Sequence, residues 1–320
     1  MRMSRREFTR QFSILLGLFA MNPLQVFGAL ARPADPSAVG DFHYIYSNPE
    51  LRKSFLDFLI NVFHLYPENE LHQTILEITH QHDTDQAVYE ELQKRMAHIK
   101  PFLAELRYSV PALSKQKTIM TEQTQQLLGD RKRFEGYLEI GSTGRYLSRL
   151  ENKLNIRGDV FLLHTEKPGY GPEEIVDREQ VTQIGTFIDM GDYDTSFARV
   201  IPRHSLDIVT VYIGFHHCPV ERRQEFISSV RDVLKPKGQL ILRDHDAYND
   251  NMRRMAALAH DVFNAGTKRS WTYNQNELRN FYSLEYIIAY LEKLGLRHSG
   301  QVLFQNGDPT RNGLMAFTKA

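Results

Sequence analysis

The sequence predicts a doubly wound α/β fold in the C-terminal two-thirds of the chain. Five short apolar segments alternate there with segments of helical periodicity, and they lie at residues 136–140, 159–163, 184–188, 207–213 and 239–242. They lack the apolar–polar alternation of a half-exposed sheet, so we expect a parallel sheet with helices on both faces. Two later strands, at about residues 297–304 and 313–318, complete a mostly parallel sheet of seven strands.

The region before this sheet has the periodicity of helices. Apolar residues recur there at spacings of three and four, beginning with Leu51, Phe55, Phe58, Leu59, Val62 and Phe63. Further helices are expected over about residues 68–81, after Thr84 with a kink or break at Pro101, and over about 114–128. We therefore predict an all-helical N-terminal region over residues 41–130 and one α/β domain over residues 131–320.

The N-terminus has the three parts of an export signal. Arginines at positions 2, 5, 6 and 10 precede an apolar run over residues 12–21, and small residues at 29 and 31 suit a signal peptidase. The segment Ser-Arg-Arg-Glu-Phe at residues 4–8 resembles the twin-arginine motif. We predict a signal peptide over residues 1–31 and a proline-rich linker over 32–40.

This signal predicts an exported protein, periplasmic or tethered to the inner membrane, and a cytoplasmic one if the signal is not used. A spanning helix is the alternative reading, but an unbroken apolar run of about ten residues falls short of the roughly 20 that a bilayer requires. We therefore expect contact with the membrane only through the N-terminal signal.

Composition excludes two further classes of partner or site. Lys and Arg total 39, as do Asp and Glu, so the net charge is zero and binding to nucleic acid is disfavoured. Cys218 is the only cysteine, which excludes an intramolecular disulfide and a zinc site built on cysteines. In the helical region, no two of the histidines His64, His72, His80 and His82 are four residues apart, so we expect them at the surface.

The end of the first predicted strand carries the first candidate site residues. In a doubly wound sheet, ligands bind outside the carboxyl ends of the strands, at the point where the strand order reverses. Glu139, Gly141 and Gly144 stand at that end of the first strand. Glycines let the backbone approach a ligand closely, and N–H groups at the start of the next helix can bind a carboxylate or phosphate. One glycine of the dinucleotide-binding fingerprint is missing.

An ordered set of segments resembles the class I S-adenosylmethionine-dependent methyltransferase family, of the small-molecule type, over about residues 134–246. The segments are Leu138 to Gly144, Gly191-Asp192, Asp207 to His217 and Val233 to Asp246. The resemblance implies a Rossmann-like sheet, S-adenosylmethionine as cofactor and a small-molecule methyl acceptor. It also implies that Glu139 and the Gly141–Gly144 turn hold the methionine end of the cofactor and that Asp192 binds the adenine. Glu166 is the nearest candidate for the ribose and stands two residues late.

Three histidines are the candidate catalytic residues. His216 and His217 follow the fourth strand, where an imidazole could take a proton from an oxygen or nitrogen acceptor. His245, between Asp244 and Asp246, follows the fifth strand on the same rim and could bind a polar group or a cation. Packing of the rim and a solvated loop are the structural alternatives. Adjacent residues of an extended segment point to opposite sides, so we predict no metal at His216 and His217.

Two functions remain open from the sequence. The first is methyl transfer to a small molecule, with Trp271, Tyr273, Phe281 and Tyr282 either walling an apolar acceptor site or packing in the protein interior. The second is a non-catalytic exported binding or interaction protein that retains the fold, which the incomplete glycine turn and the export signal favour.

Overall fold

A seven-stranded sheet organises the protein. The computed structural model describes residues 39–99, 110–169, 171, 175, 178–182 and 184–320. Its strands are β1 Arg133–Ile140, β2 Asn155–His164, β3 Thr186–Asp189, β4 Leu206–Val211, β5 Leu234–His245, β6 Leu296–Phe304 and β7 Asn312–Lys319. The predicted signal peptide, most of the predicted linker and Pro101 lie outside the described residues.

Helices precede the sheet and connect its strands. The first five are α1 Asp41–Ser47, α2 Pro49–Phe58, α3 Glu68–Gln81, α4 Asp85–Ile99 and α5 Val110–Leu128, and a π-helical turn, Leu59–Phe63, continues α2. The others are α6 Leu147–Glu151, α7 Phe197–Val200, α8 Val220–Val233, α9 Asp250–Gly266, α10 Trp271–Asn276 and α11 Leu284–Lys293, with a 3-10 turn at Phe215–His217. Among the described residues, no helix combines the length and the apolar character that a membrane crossing requires.

The strand order is that of a doubly wound fold. The strands lie in the order β3-β2-β1-β4-β5-β7-β6. β1 pairs in parallel with β2 on one side and with β4 on the other, whereas β7 runs antiparallel between β5 and β6. The order therefore reverses between β1 and β4, which places the expected ligand crevice at the carboxyl ends of these two strands. The predicted fold class is confirmed.

Both faces of the sheet are covered, as its apolar strands require. On one face, Phe226, Ile227 and Val230 of α8 pack against strand residues such as Leu138 and Val209. On the other face, α5 contributes Met120, Leu127 and Leu128 to a cluster with Phe134 and Tyr137 of β1. Burial on both sides explains why these strands read as continuous apolar runs.

The core of the N-terminal helical region also includes α9, a helix that follows β5 in the chain. Met255, Leu258 and Val262 of α9 lie in one buried cluster with residues of α1 to α4. Asn249 caps α9 by accepting a hydrogen bond from the Met252 backbone N–H, and only four residues separate the last residue of β5 from the first residue of α9. The helical cluster is therefore tied to the site edge of the sheet by a short connection. The division of the chain at residue 130 stays a prediction.

One expectation about the helical region is wrong. His72 was expected at the surface, but its side chain is buried in the helical cluster. Its Nδ1 lies 3.2 Å from the Tyr46 hydroxyl, and that hydrogen bond satisfies the polar group inside the core. His72 is buried because it lies on the inner face of α3, next to Leu71 and Ile75.

We predict that Leu258→Ala lowers the free energy of unfolding by about 2–5 kcal/mol, because the side chain is fully buried and its loss leaves a cavity between α9 and the N-terminal helices. Urea unfolding measures the change. Val220→Ala is the control, since Val220 is 56% exposed and its change should cost less than about 0.5 kcal/mol. Equal effects of the two substitutions would contradict the packing of α9.

Candidate functional site

The glycine turn lies between the ends of β2 and β4. The Gly141 N–H donates to the Leu163 carbonyl at 3.0 Å. Gly141 has a φ of +84°, and a Cβ added there would lie 2.5 Å from the Ile213 carbonyl oxygen. Only glycine combines that backbone conformation with that close approach. The turn is thus held against the strands on either side of β1.

Glu139 supports this turn from inside the protein. Its carboxylate is fully buried and accepts hydrogen bonds from the Tyr137 hydroxyl at 2.8 Å, from the Ser142 hydroxyl and from the Tyr146 backbone N–H at 3.3 Å. Burial raises the pKa of this carboxyl above its usual value, although the hydrogen bonds and Arg145 act in the opposite direction. Because protein groups engage both oxygens, the structure makes Glu139 an anchor of the turn.

Arg178 is a site residue that the sequence reasoning missed. Its side chain is fully buried, and its Cδ lies 3.9 Å from the position of a Cβ added to Gly144. Nη2 donates to the Gly169 carbonyl at 2.8 Å, but Nε and Nη1 have no hydrogen-bond partner among the described residues. A buried guanidinium beside the glycine turn, with its positive charge and N–H donors, suits an anionic group such as a carboxylate or phosphate. No local motif marks this position.

The other predicted cofactor residues lie farther along the rim. Asp192 follows β3, where its carboxylate is 3.5 Å from Arg222 Nη2 and its carbonyl accepts from Arg222 Nη1 at 2.7 Å. Glu166 follows β2 and is exposed, and its backbone N–H donates to His164 Nδ1 at 3.0 Å. The negative charge of Glu166 is among the causes that raise the pKa of Tyr273, after burial and Glu277. The cofactor roles of Glu139, Gly141, Gly144, Glu166 and Asp192 stay predictions.

The three predicted catalytic histidines meet in one cluster. The ring centroids of His216 and His217 are 4.3 Å apart, and those of His216 and His245 are 5.5 Å apart. The expectation that His216 and His217 point to opposite sides is wrong. They lie in a 3-10 turn and not in an extended segment, because Gly214 at a φ of +96° ends the strand path. The reason for predicting no metal is thereby removed.

A fourth histidine, which the sequence reasoning missed, completes this cluster. The ring centroid of His260, from α9, is 5.0 Å from that of His216, 5.6 Å from that of His217 and 5.7 Å from that of His245. His260 is one polar residue in an amphipathic helix, so its sequence position gives no sign of a site. We call His216, His217, His245 and His260 the histidine cluster.

Each ring of the histidine cluster is oriented through its Nδ1 atom. The partners are Asp244 Oδ1 at 2.8 Å for His216, the Leu278 carbonyl at 2.6 Å for His217, the Thr310 carbonyl at 3.1 Å for His245 and Glu277 Oε2 at 3.5 Å for His260. Acceptors at these positions place the proton on Nδ1 and leave the lone pair on Nε2.

Burial keeps most of this cluster uncharged. It lowers the pKa of His216 well below the usual value, that of His245 to about 4 and that of His260 to about 3. Burial also raises the pKa of Asp244 to about 6. These three imidazoles are therefore neutral at neutral pH and can accept a proton or donate a lone pair.

A cavity of about 190 Å³ adjoins the histidine cluster. For comparison, an apolar protein cavity of about 150 Å³ is large enough to bind a benzene molecule. One wall consists of the four histidines with Ile213 and Gly214. The facing walls are mostly apolar and come from the N-terminal helices and α9, with Phe58, Val62, Phe63, Leu65, Ala112, Ala259 and Phe263. The arrangement joins an apolar space of one-ring size to a wall of polar groups.

The aromatic residues divide between the two expected roles. Phe281 lies against the histidine cluster, with its ring centroid 5.1 Å from that of His216 and 5.4 Å from that of His245. Trp271 instead packs edge-on against Tyr89 in the helical cluster, at 5.3 Å. Tyr273 and Tyr282 lie under the guanidinium groups of Arg269 and Arg223.

Solved methyltransferase structures are similar in fold to this chain. The 1,6-didemethyltoxoflavin-N1-methyltransferase of Burkholderia thailandensis, solved with 1,6-didemethyltoxoflavin and S-adenosylhomocysteine, is 11% identical over 64% of this chain and 78% of its own, with a TM-score of 0.44. A SAM-dependent methyltransferase of Aquifex aeolicus is 14% identical over 71% and 98%, at 0.41. The CurJ carbon methyltransferase is 16% identical over 85% and 71%, at 0.46.

These likenesses are too distant to assign a function, since every TM-score is below 0.5. No protein-family model and no curated protein sequence matches the chain.

We predict that Gly141→Ala destabilises the fold by about 2–5 kcal/mol, because about 1–2 kcal/mol of left-handed backbone strain adds to the clash with Ile213. Gly300→Ala is the matched control, since Gly300 has a φ of +85° with no atom within 4 Å of an added Cβ. It should show the strain alone. Thermal and urea unfolding of both variants measure the difference, and equal losses would contradict the close approach.

We predict that Glu139 makes stability fall as the pH rises. A carboxyl whose pKa is raised on folding keeps its proton longer in the folded chain than in the unfolded chain. The stability of the wild type should therefore fall relative to Glu139→Gln as the pH rises above about 4.5, by up to about 1.4 kcal/mol per pH unit. Urea unfolding of both proteins from about pH 4.5 to 7.5 measures this difference. A difference that is constant or grows with pH would show that the hydrogen bonds outweigh burial.

Proposed function

We propose that this protein transfers a methyl group from S-adenosylmethionine to a small-molecule acceptor. The supporting observation is that Gly141 and Gly144 lie at the switch point of a doubly wound sheet, beside Arg178, whose Nε and Nη1 have no partner in the described part of the chain. The ordered segments of the sequence that resemble methyltransferases supply the second support.

The chain offers an anionic-group site where the cofactor's methionine carboxylate would be held. Arg178 is buried beside Gly144, and its Nε and Nη1 have no hydrogen-bond partner among the described residues, so either N–H could donate to a carboxylate. In this proposal Glu139 shapes the turn, Asp192 binds the adenine and Glu166 binds the ribose. When bound, S-adenosylmethionine supplies a methyl group on a positively charged sulfur. The protein's contribution is alignment and exclusion of water.

The acceptor would occupy the cavity beside the histidine cluster. Ile213 joins the two parts of the site, because its carbonyl contacts Gly141 while the residue also lines the cavity. A volume of about 190 Å³ suits a molecule the size of one ring. The apolar side chains of Phe58, Val62 and Phe263 would cover it and exclude water from that side.

His245 is the candidate proton acceptor for this reaction. Its Nδ1–H donates to the Thr310 carbonyl, so Nε2 carries the lone pair on the cavity wall. His216 and His217, the other predicted catalytic residues, would position the acceptor from the same wall. Export through the N-terminal signal, to the periplasm or to a tether at the inner membrane, is part of the proposal and rests on the sequence alone.

We predict that the folded full-length chain binds S-adenosylhomocysteine at one site and that Arg178→Gln weakens this binding about 10- to 100-fold, the effect of losing a charge-assisted hydrogen bond. Isothermal titration calorimetry measures the affinity. Arg199→Gln is the control, because Arg199 is exposed, and its affinity should equal that of the wild type. Asp192→Ala should also weaken binding. Absence of binding by the folded wild type would overturn the proposal.

The transfer itself is tested with labelled S-adenosylmethionine and a metabolite extract. Labelled product is expected from the wild type, and His245→Gln should form it about 100-fold more slowly or worse while binding S-adenosylhomocysteine normally. Binding of the cofactor product without any labelled acceptor would instead support a non-catalytic binding protein.

A further inference from the structure

Three imidazoles of the histidine cluster converge on one point of the cavity wall. His216, His217 and His260 each offer a ring nitrogen, and these three atoms all lie within 4.8 Å of one another. We propose that His216, His217 and His260 bind a divalent transition-metal ion, zinc first, at the wall of the cavity. This site goes beyond methyl transfer and does not require it.

The hydrogen bonds of the rings select the nitrogen that would bind the ion. Nδ1 of His216 faces the Asp244 carboxylate, Nδ1 of His217 faces the Leu278 carbonyl, and Nδ1 of His260 faces the Glu277 carboxylate. The Nε2 atoms therefore carry the lone pairs. His216 Nε2 is buried and has no hydrogen-bond partner among the described residues. A bound cation would give this nitrogen a partner, and a buried polar atom without a partner destabilises the folded state.

The partners of the Nδ1 atoms are those that metal-binding histidines have in proteins. A histidine that binds a metal through one nitrogen generally donates the other N–H to a carboxylate or a backbone carbonyl, which orients the ring and strengthens the ligand. All three rings of this set meet that condition, two through carboxylates and one through a carbonyl. Rim packing alone does not require three such pairs in one place.

The charges around the three rings favour a cation. Asp244 is buried, and its Oδ2 has no hydrogen-bond partner in the part of the chain that the structure describes. The Glu277 carboxylate lies 3.5 Å from His260 Nδ1 and 2.8 Å from Arg279 Nε. Arg279 is itself bound to Asp261 at 2.7 Å, so its charge is shared between two carboxylates. A divalent ion would offset the negative charge that remains near the imidazoles.

The ligand set has the form of a catalytic metal site. Zinc bound by three histidines keeps a fourth position for water or substrate, and Zn–N distances are about 2.0–2.1 Å. Tetrahedral ligands at that distance are about 3.3 Å apart, so binding would draw the three rings inward. All three histidines line the cavity, so the fourth position would open toward it. Cysteine plays no part, since Cys218 points its Sγ toward the Pro219 carbonyl at 3.7 Å. Imidazole ligands suit zinc, copper, nickel and cobalt rather than magnesium or calcium.

The test uses the untagged full-length chain, freed of metal with a chelator and then loaded with Zn²⁺ or Co²⁺. Elemental analysis after desalting should find one zinc per chain. Co²⁺ should give the intense visible absorption of a four-coordinate site, and added Zn²⁺ should abolish it. Competition with a chelator of known affinity then gives the dissociation constant of the wild type.

Three variants test residues of the proposed metal site, and a fourth variant at an exposed histidine is the control. Glu277→Gln should weaken zinc binding about 10- to 100-fold, and His217→Ala and His260→Ala should weaken it further. His98→Ala is the matched control, because His98 is exposed on α4, and its affinity should equal that of the wild type. Excess zinc should also raise the melting temperature of the wild type but not of His217→Ala.

Two results would overturn the proposal: a folded wild type that retains no zinc and gives only the weak spectrum of aqueous Co²⁺, or zinc binding that His217→Ala and His260→Ala leave unchanged. If those variants fail to fold, the cobalt spectrum of the wild type decides. Calorimetry with S-adenosylhomocysteine on the metal-free and zinc-loaded proteins separates this proposal from the proposed function. Cofactor binding without zinc binding would remove the metal site alone, and zinc binding without cofactor binding would remove methyl transfer alone.

Discussion

The packing of α9 is the constraint on which the candidate site depends. This helix is separated from β5 by four residues and buries Met255, Leu258 and Val262 among the N-terminal helices, which holds the helical region against the site edge of the sheet. The same packing turns His260 toward the histidines that follow β4 and β5 and closes the cavity on one side. Without it, the strand ends would carry polar side chains but no enclosed space. Water would then screen every interaction that the site could make.

Several buried charged groups lie near this helix, and specific contacts link them to one another and to the histidines. Arg279 lies between Glu277 and Asp261, and Glu277 in turn orients His260. Asp244 holds His216 in the same way from the end of β5. Groups that are costly to bury are here used to fix the directions of neutral imidazoles. On the other side of Ile213, Glu139 fixes the glycine turn by the same principle, with hydroxyl and backbone donors as its partners.

Local sequence patterns predicted the elements well and the site only in part. All seven strands overlap the segments that the sequence predicted, and the apolar runs of β1, β4 and β5 are the most distinct because they are buried on both faces. Grouping His216, His217 and His245 on one rim was sound, since carboxyl ends of neighbouring parallel strands share an edge. The predicted directions of His216 and His217 were wrong, because Gly214 and a 3-10 turn replaced the extended path. His260 and Arg178 were missed because each is brought to the site from a distant segment.

The alternation of strands and helices, the turn at Gly141 and the neutral overall charge follow from composition and from neighbours within a few residues, so local patterns were enough to predict them. Contacts between distant segments were needed to place β7 antiparallel beside β5, to join α9 to the N-terminal helices and to bring three imidazoles together. The physical reason is that helical periodicity reports which face of a helix is buried but not against what. The partners of that face are chosen by packing of the whole chain, and the chemistry of the site follows from that choice.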